Sequence, residues 1–367
     1  MTGSLAMHMA NELLSMPVAA ATLAAAAGVL AVSGLRARRS LDLEKLPLMG
    51  VLGAFVFAAQ MINFALPGGL SGHLGGGVLL AILLGPAAAI LTIASILIVQ
   101  CLIFQDGGLL ALGCNIINIG VLPALLGWGL YRLVLGPVAR APAWRQYVAT
   151  WAACTVGVAG GAALVPLEAR LSNVLLIPLG DFLAVMVGVH LAIGFVEGAI
   201  TFAVVAYLRR ARPQCLGLEG LDESRNGRVS RRAVAVTLLA TAGLLAGVVS
   251  WFASAHPDGL EYSYLEHKYA GAEKVVRDAE PGSAVAAVTQ WQERTAPLPD
   301  YSVRPGEASG SDAAGQSGEA QAEADGAWPN VDGWGSLAGL LGTVVTLGLL
   351  YGLSRILGRR RPVADQP

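Results

Sequence analysis

The chain has 367 residues, of which 55% are hydrophobic and only 13% charged, and its mean hydropathy is +0.61. Soluble domains carry about a quarter charged residues, so this composition excludes an ordinary water-soluble fold and points to lipid as the solvent. The net charge of −1 conceals segregation: arginines cluster between apolar runs and acids gather in a late polar stretch.

A hydrocarbon core about 30 Å thick needs roughly 20 apolar helical residues. Segments that meet this run from Met16 to Leu35, Leu46 to Phe64, Ala87 to Phe104, Leu109 to Leu133, Tyr147 to Val165 and Asp181 to Leu208. A shorter run from His73 to Leu84 stops at Gly85-Pro86, which breaks a helix; it is expected to be packed against protein or partly unwound. Two further spans run from Ala233 to Phe252 and from Gly335 to Leu357, giving about nine helices.

Basic residues beside spans set orientation. With the amino terminus outside, Arg36, Arg38 and Arg39, then Arg132, Arg140 and Arg145, Arg209, Arg210 and Arg212, Arg228, Arg231 and Arg232, and Arg355 with Arg359 to Arg361 all fall in the cytoplasm. The carboxyl terminus is then cytoplasmic too. The expected location is the plasma or inner membrane of a bacterium or archaeon. No basic region precedes the first apolar stretch, so it does not read as a signal peptide. Trp144, Trp251 and Trp334 lie near span ends, where amphipathic rings favour the interface.

The fold class expected is an all-α integral membrane protein: a seven-helix body over residues 1–212, a cytoplasmic linker over 213–232, and a two-helix hairpin with a long polar outer loop over 233–367. Within that loop, Pro305 to Gly326 is almost free of large apolar residues and is expected to be disordered. Cys101, Cys114, Cys154 and Cys215 show no CxxC spacing and read as small core residues, not as a disulfide framework or zinc site.

The residues able to carry chemistry are few. His8 follows Met7, and a free terminal amine, the next backbone nitrogen and the imidazole can close two fused chelate rings around one ion. Three such nitrogens suit Ni(II), Cu(II) or constrained Co(II); the alternative is an ordinary polar residue in a frayed terminus. His73 stands in a glycine-dense stretch, Gly68 to Gly77, that joins two helices at the outer face. Unwound backbone in a membrane must be buried in protein or line a cavity, so His73 either supplies a fourth nitrogen or sits in a wet turn. His190 and Glu197 are seven residues apart and share a helix face; ionisable groups at that depth are functional or paired. They read as support for the metal-bound segment, or as a structural clasp. Gly194 and Gly198 offer a close-packing surface. Gln60, Asn63, Asn115 and Asn118 read as hydrogen-bonding support within apolar runs.

Enzymatic motifs are absent: the sequence contains no HExxH, GxSxG or Walker A pattern. Active uptake would therefore need a partner ATPase. Basic residues occur only as short topogenic clusters, so nucleic-acid binding has no support.

Met7-His8 with Leu14-Ser15, then Pro47 through Phe64, closely resembles the CbiM/NikM family, the cobalt/nickel substrate-capture components of energy-coupling factor transporters. The likeness continues through Ser71-Gly72-His73-Leu74, Phe104-Gln105-Asp106-Gly107-Gly108, Asn115-Ile116-Ile117-Asn118 and His190 through Gly198, covering roughly residues 7 to 210. The hairpin resembles the small CbiN/NikN component, with Pro257-Asp258-Gly259-Leu260-Glu261 as its outer-loop signature. The resemblance implies capture of Ni2+ or Co2+ as transported substrate. Its square-planar site would use the Met7 amine, the His8 backbone nitrogen, the His8 imidazole and the His73 imidazole. It also implies a transmembrane coupling protein and ATPase subunits as partners. Because the family's chain begins at the methionine before the histidine, Met7 is the expected working start. With every ligand in the body, removing the hairpin is expected to impair transport more than binding. The competing readings are a metal-independent membrane scaffold or receptor with structural histidines, and a membrane metalloenzyme with Glu197 as base.

Overall fold

The computed structural model of the chain describes residues 8–40, 46–136, 141–211, 230–265, 268–269, 272–302 and 329–358. Met7, Arg140, Arg212, Cys215, Arg228, Arg359 to Arg361 and the stretch from Pro305 to Gly326 lie outside them.

After a 3-10 turn over Asn11–Leu13 come α1 (Met16–Ser40) and α2 (Leu46–Gln60). A small antiparallel hairpin follows, β1 (Phe64–Leu66) with β2 (Leu70–Gly72), paired Phe64 to Gly72. Next are α3 (Gly77–Leu84), α4 (Pro86–Ile103), α5 (Leu112–Leu135), α6 (Ala143–Leu171) and α7 (Leu179–Ala211). The C-terminal part contains α8 (Arg231–Gly247), the short α9 (Gly259–Ser263), α10 (Ala284–Thr295) and α11 (Gly333–Gly358). Among the described residues six helices, α1, α4, α5, α6, α7 and α11, are long and apolar enough to cross a bilayer, and α2 and α8 are shorter apolar helices. This is a helical, multi-pass membrane protein whose β1–β2 hairpin the hydropathy pattern did not foretell.

The α3–α4 break falls where expected. Gly85 adopts φ +85°, a left-handed conformation that favours glycine, and Pro86 opens α4, where a missing N–H costs nothing. Eight residues of α3 give only about 12 Å of helix, and the extended segment 73–76 joins it to the β1–β2 hairpin. Inside α5, residues Ile116–Val121 and Pro123–Gly127 are π-helical, a distortion that concentrates at functional sites.

Glycines set the helix contacts. A Cβ on Gly194 would lie 2.7 Å from Thr155 Cα and one on Gly198 2.8 Å from Trp151 Cα, so α7 sits directly on the α6 backbone. This is the small-residue surface expected of that helix. The C-terminal helices belong to the same core. A Cβ on Gly53 of α2 would meet Leu350 Cδ1 at 2.1 Å, and one on Gly342 of α11 would meet Phe57 Cζ at 2.1 Å. At the end of the molecule away from the chain start, Arg209 donates to Gln146 Oε1 (2.6 Å) and to the Ala141 carbonyl (3.1 Å), while Arg145 Nε donates to the Val134 carbonyl (2.8 Å). Cys101, Cys114 and Cys154 are free and buried, as core residues should be.

Candidate metal centre

Residues 8–15 fold back under the start of α1 and are clamped through their backbone. Asn115 Oδ1 accepts from Met9 N (3.1 Å), Asn115 Nδ2 donates to the Met9 carbonyl (3.2 Å), and Gly108 N donates to the same carbonyl (2.9 Å). Gly107, at φ +90°, passes so close that a Cβ there would lie 2.9 Å from His8 Cβ. The result is a buried His8. Its Nδ1 lies 2.8 Å from Asp106 Oδ1, and its Nε2 is buried with no partner.

Burial opposes ionisation of Asp106. The nearby His8 ring and hydrogen bonds from His8 and Tyr301 more than offset it and hold the carboxyl below its usual range. An ionised carboxylate only accepts, so Nδ1–H of His8 is the donor and, in the neutral ring, Nε2 carries the free lone pair. A fused chelate through the His8 backbone nitrogen would close on Nδ1, the nitrogen Asp106 occupies. The arrangement in the structure instead leaves Nε2 for an ion.

The second imidazole arrives by the extended segment after β2. Backbone groups there have no helix to satisfy them, and side chains from two helices do so instead, one of them held by a third. Glu197 of α7 accepts from Gly75 N (2.7 Å) and Gly76 N (3.1 Å); Gln60 of α2 donates to the Gly75 carbonyl (2.9 Å); Gln100 of α4 donates to Gln60 Oε1 (3.1 Å). His73 is thereby set with its ring centroid 5.3 Å from that of His8, at 63°. An ion about 2 Å from one nitrogen of each ring can bridge imidazoles at this separation. Burial, with the His8 ring as a second cause, lowers the His73 pKa to about 4, so its lone pair is available at neutral pH.

The two rings line a cavity of about 90 Å³ that continues inward past Asn115, Asn118, His190 and Glu197. His190 Nδ1 lies 2.8 Å from the Met186 carbonyl, so that nitrogen is the donor. Asn118 donates to Glu168 (2.8 Å), and its own carbonyl oxygen is buried without a partner. Asn63 does not line the cavity; its backbone carbonyl accepts from Ser254 N (2.7 Å) of the C-terminal part. Of the residues singled out in the sequence, His8, His73, Asn115, Asn118, His190 and Glu197 come together, Gln60 supports them from behind, and Met7 is outside the described residues. Among the described residues no group of three or more His, Cys, Asp and Glu side chains forms a metal-binding cluster.

Asp258 also reaches the cavity. Its carboxylate oxygen lies 3.9 Å from His73 Nε2. It caps α9 in a reciprocal box with Glu261. Burial, reinforced by Glu261, pushes the Asp258 carboxyl well above its usual range, so with His73 neutral this approach is not an ion pair. The loop before α9 docks on β2: Ser71 N donates to the Pro257 carbonyl (2.8 Å) and Ser71 Oγ to the His256 carbonyl (2.7 Å). Asp106 and Asp258 stand within motifs of the sequence that assign them no role: Asp106 meets His8 and Tyr301 across 98 and 195 positions, and Asp258, though capped locally with Glu261, approaches a His73 that is distant in sequence.

The family model described as the cobalt uptake substrate-specific transmembrane region, CbiM, matches residues 8–215, more than half of the chain. The chain belongs to the CbiM family. A PDGLE domain matches residues 232–359, so the two are joined in one polypeptide. The fused nickel transport protein NikMN of Rhodobacter capsulatus is 28% identical over 310 residues, covering 80% of this chain and 88% of its own length. A Haloquadratum walsbyi protein, provisionally named for metal transport, is 40% identical over 177 residues, 48% of this chain and 78% of its own. The crystal structure of a truncated transition metal transporter is 32% identical, with a TM-score of 0.48 over 55% of this chain and 98% of that one.

Proposed function

We propose that this CbiM-family chain captures Ni2+ or Co2+ at the outer face of the membrane for an energy-coupling factor importer. The observation that supports it most is the pair of imidazoles, buried His8 and half-buried His73, facing one cavity with rings 5.3 Å apart. His8 and His73 hold the ion as substrate. The family resemblance implies the Met7 amine and the His8 backbone nitrogen as further ligands, a chelate that closes on His8 Nδ1 and so requires that ring to turn from Asp106 when metal binds. Nitrogen donors suit both metals, and selection between them rests on geometry and availability.

The other residues hold the ligands. Asp106 fixes the His8 ring through its second nitrogen, the usual role of a carboxylate behind a metal-binding histidine. Asn115 fixes the backbone just after His8, and Glu197 and Gln60 fix the backbone just after His73. Asn118 and His190 line the inward continuation of the cavity. The chain divides into a capture body over 1–212, a linker over 213–232 and a PDGLE unit over 233–367, with the arginine-rich helix ends in the cytoplasm. It has no ATPase of its own; a transmembrane coupling protein and ATPase subunits supply energy and drive release inward.

The test is radiolabelled Ni2+ and Co2+ uptake by cells that express the chain with a coupling protein and its ATPases. Uptake of either ion that requires His8, His73 and the ATPases is the expected result. Uptake unaffected by either histidine would refute the assignment.

A further inference from the structure

The PDGLE unit reaches the cavity through Asp258, and the loop that carries this residue is held on both sides. Ser71 of β2 donates to the His256 carbonyl through its hydroxyl (2.7 Å) and to the Pro257 carbonyl through its amide (2.8 Å). On the other side Gly259 lies against α7. A Cβ there would be 2.6 Å from Ile193 Cδ1 and 3.0 Å from His190 Cε1, so a larger residue would push the loop away. Asp258, between these two contacts, is buried.

Its two carboxylate oxygens do different things. Oδ1 accepts from Leu260 N and Glu261 N, both at 2.9 Å, and so caps α9. Oδ2 approaches His73 Nε2, 3.9 Å away, whereas His73 Nδ1 lies 3.4 Å from the Leu74 carbonyl. A cap needs one oxygen, and serine or asparagine would supply it as well. The second oxygen is therefore surplus to the cap. Metal bonds to an imidazole nitrogen and to a carboxylate oxygen are each about 2 Å long, so one ion can span the gap between Nε2 and Oδ2.

We infer that Asp258 is a ligand of the transported ion, its Oδ2 adding one oxygen from the PDGLE unit to the nitrogen donors of the body. This rests on the proposed reading of His73 as a ligand and is independent of which His8 nitrogen meets the ion. The set closes only around the ion, since among the described residues no three such groups are already gathered. Burial beside Glu261 disfavours a charged Asp258, and a divalent ion at its oxygen relieves that penalty. The donor set then exceeds the planar nitrogens that suit Ni(II). The PDGLE unit thus contributes to binding as well as to transport, where the sequence led to an effect mainly on transport.

The experiment uses the full chain in nanodiscs with Ni2+ as the probe, and compares Asp258→Asn and Asp258→Ser with wild type. Both replacements can cap a helix, so α9 should survive. Two quantities are read: Ni2+ affinity by titration, and the nickel X-ray absorption edge, which separates a planar four-coordinate ion from one with a further donor. The expected result is a further donor in wild type and a several-fold loss of affinity in Asp258→Ser. A similar loss in Asp258→Asn would show that the negative charge is needed. Wild-type affinity in Asp258→Asn would show its carbonyl oxygen standing in as donor, and either result supports the inference. Wild-type affinity in Asp258→Ser, or a planar four-coordinate Ni2+ in the wild-type chain, would overturn it while leaving the proposed function intact. A wild-type chain that binds neither Ni2+ nor Co2+ would refute that function itself, and the inference with it.

Discussion

Nδ1 of His8 and Oδ1 of Asp106 are 2.8 Å apart across 98 positions of sequence. That bond selects which imidazole nitrogen faces the cavity. If His8 ligates through Nε2, Asp106 is an asset, because it orients the ring and raises its basicity. If the ring must turn to offer Nδ1 to a backbone chelate, Asp106 is a competitor. Asp106→Ala separates the two. The arrangement described here predicts about 10- to 100-fold weaker Ni2+ binding, measured by titration of purified protein. Tighter binding in the variant would favour the chelate through Nδ1.

Glu197 is expected to matter through the backbone it holds. Its carboxylate accepts from the amides of Gly75 and Gly76, next to His73. Glu197→Ala leaves the Gly75 and Gly76 N–H groups unsatisfied, at about 1–3 kcal/mol each. The variant should melt at a lower temperature in detergent and take up little metal. Wild-type melting with wild-type uptake would show that the His73 segment does not depend on this carboxylate.

The acid sensitivity of the fold should carry the mark of His73. Its pKa is lowered to about 4 in the folded chain by burial and by the His8 ring, against about 6.5 when unfolded. Between those values the unfolded chain binds more protons than the folded one, so stability falls as pH drops through that window. His73→Gln should remove part of this dependence, seen as a shallower decline of melting temperature from pH 6.5 to 4. The same depression keeps protons from competing with metal at His73 until about pH 4. An identical decline in the variant would contradict a His73 held neutral by desolvation.

Much of this was legible in the sequence because the membrane writes its constraint locally. Apolar runs gave the helices to within a few residues, Gly85-Pro86 gave the break between α3 and α4, and Gly194 with Gly198 gave the face of α7 that meets α6. His73 stood out because a histidine in a glycine-dense membrane segment needs a reason. Asn115 and Gln60 could be recognised as support, though not what they support. The β1–β2 hairpin was hidden, since three-residue strands carry no periodicity. The pairing of Glu197 with the Gly75 and Gly76 amides was hidden as well; shared face with His190 suggested a pair, but each side chain has its own backbone partner. Tyr301 was invisible for a simpler reason. It lies in a stretch that composition marks only as a polar loop, and its partner Asp106 is 195 residues away.

The proposed function requires His8 and His73 together to hold one transition-metal ion, which calorimetric titration of the purified full chain with Ni2+ and Co2+, alongside His8→Ala and His73→Ala, tests most directly. One ion should bind per wild-type chain, and each variant should lose that binding while retaining helicity and membrane insertion. Wild-type affinity in either folded variant, or no binding of either ion to wild type, would contradict it.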